Sequence, residues 1–169
     1  MKLNIGCGND YREGFVNIDG SDMLPRVDRV IDLVAERLID YFPAESVEFI
    51  LANDVVEHHF HWEAVALLKQ FFELLQPGGR VEIRVPDCRY IIRSRRFSIE
   101  EKLDLLYGGQ DVPRGVDAKM DQSRKLYPQY FCHKYGWTME RMTTELQRAG
   151  FSSIQTHRAG TNFIAYAAK

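Results

Sequence analysis

The sequence predicts an α/β fold: a Rossmann-like three-layer sandwich around a mostly parallel seven-stranded sheet closed by a C-terminal antiparallel hairpin. Three observations carry this. Short β-branched or apolar runs alternate with helical stretches, the signature of layered α/β domains. Two of the runs, Phe49 to Ala52 and Arg80 to Val85, are nearly continuous in apolar or β-branched residues, as strands buried on both faces of a sheet are. The last two runs are separated only by Ala159 to Thr161, which suits a hairpin.

In order, the strand candidates are Leu3 to Ile5, Phe15 to Ile18, Arg29 to Ile31, Phe49 to Ala52, Arg80 to Val85, Ser153 to His157 and Asn162 to Ala167. Between them, Trp62, Val65, Leu68, Phe72 and Leu75 recur every three or four residues, predicting a helix over Trp62 to Gln76 that stops at Pro77-Gly78-Gly79. Ser98 with Glu101 forms a capping box ahead of Ile99, Leu103 and Leu106, with Gly108-Gly109 as the stop. Thr138 caps a third helix to Ala149, with Met139, Met142 and Leu146 inward and Gly150 ending it. From Gly108 to Trp137 no apolar period survives, so residues 108–136 read as a long functional loop, a lid or acceptor-binding insertion. The whole chain reads as one domain of 169 residues.

Lys and Arg number 22 against 24 Asp and Glu, which gives no global basic excess to draw the chain onto nucleic acid. No apolar run reaches the length of a membrane span, and Lys2, Asn4, Asn9 and Asp10 interrupt any secretion-type core, so a cytoplasmic location is expected. Three dispersed cysteines, Cys7, Cys88 and Cys132, read as free thiols. A homodimer is compatible with these features.

The site candidates lie at strand ends. Gly6-Cys7-Gly8 follows the first strand, and its glycines let backbone approach a ligand at the sheet's carboxyl edge. Asp19 ends the second strand, placed to accept hydrogen bonds from ribose hydroxyls. A dinucleotide fingerprint is not met: the third glycine is missing and the acid comes too early.

With these residues in place the chain resembles the class I S-adenosylmethionine-dependent methyltransferases, of the small methyltransferase-11-like type. Leu3 to Gly8 resembles their first motif, Asp19 the ribose-binding acid, and Asp32-Leu33 the segment beside the adenine. Ala52-Asn53-Asp54-Val55-Val56-Glu57-His58 is similar to their stretch ending Leu-Glu-His, Leu75 to Arg80 to their Leu-x-Pro-Gly-Gly turn, and Ala149-Gly150-Phe151 to the Ala-Gly-Phe before the sixth strand. Two departures stand out: the first crossover is shortened to a turn, and Asn4 and Asn9 replace the usual acid and third glycine.

The resemblance implies S-adenosylmethionine as cofactor, bound by Gly6, Cys7, Gly8, Asp19, Asp32, Leu33, Asn53, Asp54 and Val55. It implies in-line methyl transfer to a small molecule or glycan-type metabolite; the alternative is a non-catalytic cofactor-binding module. Asp32 could accept from the adenine amino group or cap a helix beginning near Leu33. His58 is the catalytic candidate, orienting or deprotonating an acceptor, or else fixing its loop by a hydrogen bond. Asp87, Arg89, Tyr130, His133 and Tyr135 are acceptor-side candidates, although the arginines from Arg89 to Arg96 also suit a solvated helix face. Glu57, His58, His59 and His61 invite a metal reading, but no second cluster with ligand spacing follows, so no metal is expected.

Overall fold

The computed structural model describes residues 1–108, 110 and 118–169, the side chains of residues 118–120 and 123 excepted. Seven strands form one sheet: β1 (Lys2–Ile5), β2 (Val16–Asp19), β3 (Arg29–Val30), β4 (Val47–Asn53), β5 (Leu75–Pro86), β6 (Ser152–Ala159) and β7 (Asn162–Ala168), in the order β3-β2-β1-β4-β5-β7-β6. The first five run parallel, and β7 inserts antiparallel between β5 and β6. The order reverses at β1 and β4, so their carboxyl ends open the crevice where such sheets bind ligands.

β4 buries Ile50, Leu51 and Ala52 in succession, as expected of a strand covered on both faces. β5 corrects the expectation of a continuous apolar run: it buries Val81, Ile83 and Val85 and alternates them with the more exposed Arg80, Glu82 and Arg84, so only one of its faces is apolar. β5 starts earlier than its apolar run, because Leu75 pairs with Val47 across a register shift that accommodates the Pro-Gly-Gly segment.

Among the described residues five α-helices accompany the sheet: α1 (His61–Leu74), α2 (Cys88–Arg93), α3 (Ile99–Tyr107), α4 (Ala118–Leu126) and α5 (Met139–Ala149). In α1 the buried stripe is Ala64, Leu67, Leu68, Phe71 and Leu74, rotated from the expected one; Trp62 is exposed and stacks on Phe60 at 4.8 Å. The periodicity allowed both faces, and the continuous small-to-large stripe fits the sheet better than one led by an indole. α3 has its capping box, with Glu101 N–H donating to Ser98 Oγ at 3.1 Å and Ser98 N–H to Glu101 Oε2 at 2.7 Å. Yet it buries none of its residues; Ile99 and Leu103 are exposed. α5 follows expectation, capped by Thr138, packed through Met142 and Leu146, and ended by Gly150 at φ +108°.

Residues 118–130 correct the expectation of a loop from Gly108 to Trp137, since they contain α4 and a 3-10 turn at Pro128–Tyr130. Their helix is polar, so no apolar period announces it. The remainder of the expected lid, Gly109 and 111–117, lies outside the described residues.

A candidate cofactor and acceptor pocket

The shortened first crossover is held by two buried asparagines. Asn4 Nδ2 donates to Asp10 O at 2.7 Å and to Asn17 Oδ1 at 3.0 Å, while Asn17 Oδ1 also accepts from Arg12 N–H at 2.8 Å. A carboxylate at position 4 could make neither donation, so Asn4 suits a turn in place of a crossover helix. The result aims the Gly6–Gly8 loop over the carboxyl end of β1.

Gly6 sits at φ +62°, and a Cβ there would come 2.3 Å from Val55 Cγ2; Gly8, at φ +51°, has open space where its Cβ would be. Asp19, at the end of β2, accepts from Gly8 N–H at 2.9 Å and from Ser21 N–H at 3.0 Å. Burial pushes its carboxyl above the ordinary range, against these bonds and that of Gly20. Asp32 accepts from Val34 N–H at 2.9 Å and from the Tyr130 hydroxyl at 3.0 Å. It therefore organises a turn, and the helix expected near Leu33 does not form.

These groups bound a cavity of about 430 Å³. Of the expected residues, Gly6, Gly8, Asp19, Asp32, Leu33, Asp54, Val55, His58 and Tyr130 line it. Gly20, Ser21, Leu24, Ile31, Val34 and His59 join them from the strand ends, and Arg124, Phe131 and Lys134 from the polar segment above. Gly20 and Ser21 could have been found in sequence as the turn after Asp19. Arg124 could not, because nothing local marks α4.

Six expected residues sit outside the cavity lining: Cys7, Asn53, Asp87, Arg89, Tyr135 and His133, the last of which stands beside His58. Cys7 is buried in the loop, its thiol pushed up to about 12 by burial first and the Asp19 charge second. Asn53 lies at the end of β4 outside the cavity lining. Asp87 is buried and caps α2, accepting from Tyr90 N–H at 3.0 Å. Arg89 pairs with Glu140 on the surface, which supports the helix-face reading over an acceptor contact. Tyr135 packs on His61 and Trp137. Tyr130 stands against Gly20, whose Cβ would meet its ring at 3.2 Å, so it walls the Asp19–Asp32 end.

At the other end Asp54, in a left-handed conformation at φ +56°, pairs with Arg84 and accepts from Asn162 Nδ2 at 3.1 Å. His58 Nδ1 lies 3.0 Å from Cys132 O, and His133 Nδ1 lies 3.3 Å from Leu106 O. Their rings meet edge to face at 5.0 Å. Burial, the largest cause, lowers His58 to about 4 and also lowers His133, so both are neutral at pH 7. A carbonyl oxygen only accepts, so each Nδ1 carries the proton and each Nε2 keeps its lone pair. Lowered that far, His58 is a weak base, and its neutral ring leaves Nε2 as a hydrogen-bond acceptor. Glu57 is buried beside them; burial and the Asp54 charge raise its carboxyl well above the ordinary range.

Glycine-rich backbone and a carboxylate meeting at the switch point of a reversed parallel sheet define a nucleoside-cofactor enzyme of the Rossmann-like class. The residues fit S-adenosylmethionine: Gly8 leaves room for close approach and Asp19 retains lone pairs for a ribose. Residues 3–156 match the family described as "Methyltransferase domain", and the chain belongs to it. It is an S-adenosylmethionine-dependent methyltransferase. The fold is similar to that of an S-adenosylmethionine-dependent methyltransferase from Archaeoglobus fulgidus (12% identity, TM-score 0.64, 99% of this chain and 85% of that one). It is similar also to such an enzyme from Mesorhizobium loti (13%, 0.63, 99% and 90%). A third similar structure, Haemonchus contortus phosphoethanolamine N-methyltransferase 2 in complex with S-adenosyl-L-methionine, is larger (12%, 0.58, 99% and 48%). Among curated proteins none matches significantly.

Proposed function

We propose that this methyltransferase acts on a small molecule or glycan-type metabolite, taken up between the His58 end of the cavity and the segment 118–136. The single observation behind this is one cavity, of small-ligand size, that runs from Asp19 and Asp32 to Asp54 and His58 and is covered by Arg124, Tyr130, Phe131 and Lys134. In this reading Gly6, Gly8, Asp19, Asp32, Leu33, Asp54 and Val55 hold the cofactor, and the segment 118–136 acts as its lid. S-adenosylmethionine supplies an activated methyl group on a sulfonium, and transfer needs an acceptor aligned behind it. Positioning can provide much of that rate. Asp19 and Asp32 would fix the nucleoside end, and the neutral His58 would orient the acceptor by its lone pair.

The test is titration calorimetry with S-adenosylhomocysteine, combined with mass spectrometry of methylated products from a panel of hydroxyl, amine and saccharide acceptors. Binding with turnover on small acceptors supports the proposal. Binding with turnover only on a polymer overturns the acceptor class, and absence of binding in folded protein overturns the cofactor site.

A further inference from the structure

Glu57, His58 and His133 offer one ligand atom each, and these atoms lie within 4.8 Å of one another. The sequence conceals this, since His133 is 75 positions beyond His58. The fold joins them through backbone bonds: Lys134 N–H donates to Glu57 O at 2.8 Å, and His133 N–H to Tyr107 O at 2.9 Å. Gly108 makes room for the imidazole, because a Cβ there would stand 2.8 Å from His133 Cδ2.

Two features point to a ligand. Glu57 is 2% exposed, and neither of its carboxyl oxygens has a hydrogen-bond partner among the described residues. A buried carboxyl left so is strongly disfavoured unless something compensates it. Both histidines, moreover, place Nδ1 on a backbone carbonyl and leave Nε2 free, the arrangement that orients imidazoles toward a metal. Asp54 adds a nearby negative charge, partly offset by Arg84.

We propose that Glu57, His58 and His133 form a binding site for a divalent first-row cation at the acceptor end of the cavity. Two imidazoles and one carboxylate suit Zn²⁺ or Co²⁺ better than the oxygen-seeking Mg²⁺ or Ca²⁺. Metal–ligand bonds of about 2.1 Å hold ligand atoms roughly 3.0 to 3.4 Å apart, so a small inward swing of the side chains completes the site. Three protein ligands leave coordination positions open, and His58 lines the cavity. Resting on the methyltransferase reading, with the cation in place of the bare His58 Nε2 as the group that meets the acceptor, the site selects an acceptor whose nucleophile is an oxygen, held by the cation in line with the methyl donor.

Equilibrium dialysis and visible absorption with Co²⁺ alone test this, alongside S-adenosylhomocysteine calorimetry on the same preparation. Wild-type protein should bind one Co²⁺ per chain with resolved d–d bands. Glu57→Gln and His133→Ala should each weaken binding about tenfold or more, whereas His157→Ala, on exposed β6, should not. Should Glu57→Gln fail to fold, His133→Ala decides. Absence of stoichiometric Co²⁺ binding, or binding unchanged in the folded variants, overturns the cation site. If S-adenosylhomocysteine still binds then, the methyltransferase reading stands alone; if Co²⁺ binds and S-adenosylhomocysteine does not, the reverse holds.

Discussion

Asp19 is committed twice, to the backbone of its own loop and to the cavity, and its chemistry follows. Asp19→Ala should remove charge-assisted bonds worth about 1.5 to 3 kcal/mol and weaken S-adenosylhomocysteine about tenfold or more in calorimetry. Its raised carboxyl also sets a pH dependence. The ionised form is the better acceptor for ribose hydroxyls, so affinity should fall as pH drops through that raised pKa, beginning above the usual carboxylate range. The slope should vanish in Asp19→Ala, and a wild-type affinity flat across acidic pH would remove Asp19 from the binding role. His58 belongs to the acceptor end. His58→Ala should lower turnover about 100-fold by misplacing the acceptor while leaving cofactor affinity nearly intact, and equal losses in both would assign it to the architecture of the loop. Asp19 could be read from the sequence because its role is local to one strand end. Glu57 and His133 could not be paired, because only the fold brings them together.

The glycine loop between β1 and β2 separates stability from binding within three residues. Gly6→Ala meets Val55 as well as an unfavourable φ, so it should lose at least the 1–3 kcal/mol or so of backbone strain and show a lower Tm. Gly8→Ala has open space around it and should lose only about 1 kcal/mol, yet place a methyl group in the cavity and weaken S-adenosylhomocysteine strongly. Comparable Tm losses in both would mean that the loop serves packing alone. Elements with a strong apolar signal, such as β4, β5 and α5, were legible in their residues. α1 was legible as a helix and misjudged in face, because Trp62 lay on an equally regular stripe. α4 was invisible, since its residues are polar and its place comes from the cavity it covers.

At the scale of the molecule, the sheet carries the cofactor end on β1, β2 and β4, and the segment 118–136 crosses to it from the α3 side. Hydrogen exchange across 118–135 should slow most when S-adenosylhomocysteine and an acceptor analogue are added together, and less with either alone. Equal exchange in every state would mean that this segment is a fixed wall and not a lid. The strand order has a further consequence, concerning assembly on the ribosome. β7 comes last of the seven in sequence but lies inside the sheet, between β5 and β6. Until it emerges, β5 has β4 on one side and an unpaired backbone edge on the other, the kind of template on which nascent chains pair wrongly. The parallel half can therefore gather early, while the final commitment to the native sheet waits for Asn162–Ala168. Chains released after a stop before Asn162 should accordingly be bound by chaperones far more than chains released with Asn162–Ala168 included.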